Sequence, residues 1–164
     1  MTKARSEKVI ILGVDGMDPR ITRRMIEEGK LPHLQALKEQ GAMRDDLVLL
    51  GAMPTITPPQ WTTLSTGSYP ETHGITCFYA QHPVELDKIT YNLHSSSCKS
   101  EQLWNVTAET GKKTLVFHWP GCSWPPTSDS PNLHVIDGVT PASINMGLTK
   151  DAEKILYASP DIKE

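Results

Sequence analysis

Residues Lys8–Val14 (KVIILGV) are a nearly continuous run of apolar, mostly β-branched side chains, and Asp18-Pro19 follows four residues later. A run without polar alternation is the pattern of a strand buried on both faces, as in a parallel sheet covered by helices. Asp18 and Pro19 supply an N-cap and a first-turn proline, and Ile21, Met25 and Ile26 form a helical stripe that Gly29 closes. A strand that feeds directly into a helix argues for an α/β domain and against a helical bundle or a β-sandwich.

The rhythm continues along the chain. Pro32 opens a second helix, with Leu34 and Leu37 apolar and Gly41 at its end. Leu47–Leu50 is a further short apolar run. Thr57-Pro58-Pro59 starts a helix that runs through Trp61 and Leu64 to about Gly67. A turn-rich loop is expected from Ser68 to about Pro83, then a strand over Ile89–Leu93. Ser100 is expected to cap a helix containing Leu103, Trp104 and Val106, stopped by Gly111. Strands are expected over Thr114–Trp119 and Leu133–Ile136, separated by the proline-rich loop Pro120–Asn132. The fold class expected is α/β, a mostly parallel sheet flanked by helices. Ser159-Pro160-Asp161 reads as another helix start with only three residues after it, so the sequence looks cut off as an element begins.

Composition narrows the function classes. The 164 residues are 38% hydrophobic and 21% charged, outside the disordered class. A net charge of -3 gives no basic field for a nucleic-acid polymer. No apolar run approaches the roughly 20 residues of a membrane span, and the polar start Met1–Lys8 is not a secretory signal. Cys77, Cys98 and Cys122 are odd in number and form no CxxC pair, so reduced thiols in a cytoplasmic protein are expected.

Two residues stand out chemically. Asp15 ends the first expected strand, between Gly13 and Gly16, at the strand end where open parallel sheets bind ligands. It is either a metal ligand or the side chain of an Asx turn or helix cap. Thr57 precedes Pro58, which pushes its backbone toward a capping conformation at a helix N-terminus. It is either a plain N-cap or a nucleophile that the helix dipole favours, and as a nucleophile it needs a base or a metal. Pro58 and Pro59 remove two anion-binding N–H donors from that terminus. The histidines His33, His73, His82, His94, His118 and His134 form no HxxxH or HExxH pair, and His73 is expected to bond backbone groups in a tight turn. GxGxxG, GxSxG and Walker motifs are absent.

Val9–Pro19 and Pro54–Ile75 together resemble the opening and the nucleophile segment of the alkaline phosphatase superfamily, in its type I phosphodiesterase / nucleotide pyrophosphatase branch. The nearest pattern is a group of mostly uncharacterised prokaryotic members with Thr-Pro-Pro-x-Trp at the nucleophile. Leu103–Lys112, Trp119–Pro126 and Gly138–Pro141 continue the resemblance in order, over about residues 8 to 162. The resemblance implies hydrolysis of small phosphate esters at a centre of two divalent metal ions, usually zinc, with manganese an alternative. It implies that Asp15 binds a metal, and that Thr57 touches the same metal and takes the phosphoryl group covalently.

The sequence departs from that pattern in three ways. The family's further ligands come from Asp-His and Asp/His positions well downstream, and no such positions occur before Glu164. Pro58 cannot offer the N–H that follows the nucleophile in the nucleotide pyrophosphatases. Their oxyanion-side asparagine falls here at Phe78. The reading is therefore a flexible start, 1–7, and the N-terminal part of a larger hydrolase domain, 8–164, with the rest of that domain as its partner and little activity alone. The rival expectations are a short non-catalytic relic that acts as a binding or scaffold module, and a phosphomutase-like member of the superfamily.

Overall fold

A computed structural model describes residues 7–46, 51–123 and 125–136. They belong to two compact units that divide between Leu50 and Gly51. The runs Leu47–Leu50, Gly138–Pro141 and Ser159–Glu164 lie outside the described residues.

The first unit holds helices α1 (Pro19–Glu27) and α2 (Pro32–Gln40). The Asp18 carboxylate caps α1, accepting from the amides of Arg20 at 2.8 Å and Ile21 at 3.3 Å. Pro19 occupies the first turn and costs no hydrogen bond there. Thr22 and Ile26 are the buried residues of α1. Gly41 ends α2, as expected from the sequence.

The segment Lys8–Val14 departs from expectation. It is not a strand, and its apolar side chains face solvent; Ile10 is 91% and Leu12 87% exposed. A strand buried on both faces requires hydrogen-bonded neighbours and covering helices. Among the described residues no strand pairs with this one.

The second unit begins with α3 (Thr57–Thr66) and the single turn α4 (Pro70–His73), a helical turn within the stretch from Ser68 expected to be a loop. Strands β1 (Tyr79–Gln81) and β2 (Ile89–Tyr91) form an antiparallel hairpin, with Tyr79 opposite Tyr91 and their rings 5.5 Å apart. Helix α5 (Leu103–Glu109) packs on β3 (Thr114–Phe117) and β4 (Leu133–Ile136), which pair in parallel with Val116 beside Val135. Among the described residues the architecture is mixed α/β, as expected, with two small sheets, one antiparallel and one parallel.

Alternation along β3 and β4 decides the core. Val116, Leu133 and Val135 point to α5 and bury with Trp104, Ala108 and Cys122, while Leu115 and Phe117 face solvent. Asn132 and Ser130 pin the loop before β4 by donating to the Ala108 carbonyl at 3.2 and 3.0 Å. Ser100 does not cap α5. It lies three residues before the first helical residue, beyond reach of the N-terminal amides, and instead accepts from the Ser68 hydroxyl at 2.9 Å. The three cysteines are free thiols.

Candidate active site

The expected nucleophile segment is built on α3. Its cap is Ile56, extended at φ -125° and ψ 163°, and Thr57 is the first helical residue. This corrects the expectation that Thr57 itself caps the helix. Ile56 has no side-chain acceptor, yet the terminus is not costly. Pro58 and Pro59 occupy two of the first three positions and have no N–H to satisfy. Both prolines are buried, and Thr57 is half-buried above them. The Gln60 amide is used internally, donating to Ile56 O at 3.3 Å. The helix start therefore offers an incoming anion few backbone donors.

The body of α3 is anchored on three sides. Trp61 meets Trp119 edge-on, centroids 4.8 Å apart, and the Trp119 indole N–H donates to the Trp61 carbonyl at 3.3 Å. Gly67 ends the helix in the left-handed region at φ +68°, where a side chain would be strained. Thr63 meets His73, which is fully buried at the end of α4. The Ile75 amide donates to His73 Nδ1 at 3.1 Å, so the proton sits on Nε2, which faces Thr63 Oγ1 at 3.1 Å. Burial holds the His73 pKa below the usual histidine value, against a weaker opposing pull from Glu71. His73 is thus a neutral structural histidine that bonds backbone, in agreement with the expectation from its tight turn.

Before α3, the chain from Gly51 to Ile56 is held by Gln60. Its side-chain carbonyl accepts from the Ala52 amide at 2.9 Å, and its NH2 donates to the carbonyls of Ala52 and, at 3.3 Å, Pro54. No sequence signal marks Gln60, because its partners are backbone atoms.

Asp15 lies in the first unit, exposed in a turn whose next residue, Gly16, has φ +66°. Among the described residues no three His, Cys, Asp or Glu side chains gather as a metal site. A carboxylate and a hydroxyl are the right kind of donor for a divalent cation, but two ligands are too few for zinc, which takes about four.

Comparison with known proteins decides the family. Residues 9–157 match type I phosphodiesterase / nucleotide pyrophosphatase. The chain belongs to that family of the alkaline phosphatase superfamily. Two ectonucleotide pyrophosphatase/phosphodiesterases of Caenorhabditis elegans are 25% and 28% identical to it over 129 residues. Each alignment covers 76% of this chain but only 15% and 17% of the relative, so the chain spans about a sixth of their length. A crystal structure of phosphonoacetate hydrolase from Sinorhizobium meliloti, in complex with phosphonoacetate, is similar in fold. Its TM-score is 0.55 at 24% identity, over 63% of this chain and 24% of that one. Members of this type I phosphodiesterase family typically bind divalent metals.

Proposed function

We propose that this chain supplies the nucleophile, Thr57, and one metal-binding carboxylate, Asp15, of a metal-dependent hydrolase acting on small phosphate esters. The observation that carries the reading is the placement of Thr57. It is the first residue of α3, half-buried, in a helix fixed by Trp61, Thr63 and Gln60, within the segment matched to the family.

The chemistry is a double displacement. The Thr57 oxygen bonds to phosphorus as the bond to the leaving oxygen breaks, and the hydroxyl proton ends on the leaving alcohol. Water then opens the phosphothreonine and returns a proton to Thr57. A bound divalent cation would lower the pKa of the hydroxyl and offset charge on the phosphoryl oxygens. Asp15 and Thr57 would contribute oxygen ligands to it. The proline pair leaves the helix start poor in donors, and the stretch 51–75 contains no Lys or Arg. This favours a singly charged phosphodiester over a doubly charged monoester. Phe78 and Pro58 stand where nucleotide pyrophosphatases use polar groups, so the reading names no nucleotide.

The test is hydrolysis of bis(p-nitrophenyl) phosphate, with zinc or manganese added, by this chain joined to the rest of the hydrolase domain. Thr57→Ala should lower turnover by about 10³-fold or more, and Asp15→Asn should raise the metal concentration needed for half-maximal rate. Turnover that survives Thr57→Ala would rule out the nucleophile assignment.

A further inference from the structure

We propose that Gln60 is a positioning residue for Thr57, its side-chain amide acting as a stand-in strand that fixes the chain leading into the nucleophile helix. The inference rests on Thr57 being the nucleophile.

The primary amide of Gln60 meets both polar groups of one buried residue. It accepts from the Ala52 N–H at 2.9 Å and donates to the Ala52 carbonyl. A neighbouring strand residue makes the same reciprocal pair. The second proton of the NH2 reaches Pro54 O at 3.3 Å. Three of the four hydrogen bonds that a glutamine side chain can make are therefore used on the entry loop. Within that loop the Ile56 amide donates back to Pro54 O at 3.0 Å. Thr57 thus hangs between two fixed points, the latch at Ala52–Pro54 and the first turn of α3.

Gln60 is three residues beyond Thr57 and so lies on the adjacent face of the same turn. Its amide is bonded to Ala52 and Pro54, on the chain that leads into Thr57. Gly51 supplies an independent observation. A Cβ on Gly51 would lie 2.0 Å from Gln60 Oε1 and 2.8 Å from Cδ. Gly51 has no positive φ to require glycine, so its small size is what leaves room for the latch. The loop and the amide fit one another from both sides.

Two variants release the latch in different ways. Gln60→Asn shortens the side chain by one methylene, and Gly51→Ala pushes the Gln60 amide aside without changing it. Both are read by NMR on the 164-residue chain, beside a control, Val135→Ala, which weakens the core away from the loop. In the wild type the Ala52 amide should resist hydrogen exchange, and three-bond couplings should show one Thr57 χ1 rotamer. Both latch variants should lose Ala52 protection and average Thr57 over rotamers; the control should do neither. A single Thr57 rotamer in both latch variants, or Ala52 protection that survives in both, overturns the proposal.

In the hydrolysis assay kcat should fall by about 10- to 100-fold with KM changed less than about 3-fold, as misplacement of a reacting atom predicts. An equal rise in KM without loss of kcat would also overturn it. Thr57→Ala is scored separately. If turnover survives that change, the nucleophile reading falls, while the rotamer measurement still decides whether Gln60 positions Thr57.

Discussion

His73 Nε2 stands 3.1 Å from Thr63 Oγ1, and the two groups join the single turn α4 to the second turn of α3. The His73 carbonyl accepts from the Lys99 amide at 3.0 Å as well. One buried residue therefore ties three parts of the second unit together, and each of its polar atoms has a defined partner. The link holds α4 against the helix that carries Thr57.

Thr63→Val removes the acceptor and strands a buried imidazole N–H. The expected cost is about 1–3 kcal/mol, measured by urea denaturation, while Thr63→Ser should cost less because the hydroxyl remains. Equal stability of the valine and serine variants would show that the hydrogen bond contributes nothing.

The pH dependence follows from the direction of the His73 shift. Burial lowers its folded-state pKa below the 6.5 of the exposed side chain. The unfolded chain therefore binds the proton first as pH falls, and acid favours unfolding. The stability advantage of wild type over His73→Asn should be flat above about pH 6.5 and shrink below it. Denaturation curves of both proteins between pH 8 and 5 check this. An advantage that grows on acidification would reverse the assigned sign.

The register of β3 predicts a contrast between neighbours. Trp104→Ala, in the core against Trp119, should cost about 3–5 kcal/mol, and Val116→Ala should also be clearly destabilising. Leu115→Ala, on the outward face, should change stability by no more than about 0.5 kcal/mol. Thermal melts of the three variants decide it. If Leu115→Ala matches Val116→Ala, the outward face is covered in solution.

In the first unit, Asp18→Ala should fray the first turn of α1. The bonds from the Arg20 side chain and the Arg20 and Ile21 amides hold the Asp18 carboxyl well below the usual carboxylate range. Its contribution is then present above about pH 4 and lost as pH falls further. Amide exchange at Thr22, which donates to Asp18 O, reports the loss. Protection at Thr22 unchanged by the substitution would show that the cap does not hold the turn.

Local signals were legible where they were self-contained. Asp18-Pro19, Pro32 with Gly41, and Pro58-Pro59 with Gly67 each placed a helix, because prolines and terminal glycines act within one turn. The run Leu133–Ile136 was legible as a strand, while its buried face is set by the packing of α5. Long-range partnership was not legible. Val9–Val14 looks like a central strand, but strand identity depends on neighbours that the run itself does not encode. Ser100 looks like a cap, but its hydroxyl is engaged by Ser68. At the site, Thr57 and Asp15 stood out by residue type and motif. Gln60 did not, because a side chain that bonds backbone leaves no pattern in the residues it touches.

The outward-facing run Val9–Val14 has a consequence for handling the protein. Six uncharged residues rich in Val and Ile, without proline, are a template for cross-β pairing between copies. Lys8 and Asp15 flank the run and serve as charged gatekeepers against that association. A charge at Asp15 opposes such pairing whether or not it also binds a metal. Neutralising it to probe catalysis also removes one gatekeeper, and light scattering should accompany every assay of Asp15→Asn, so that precipitation is not read as lost chemistry.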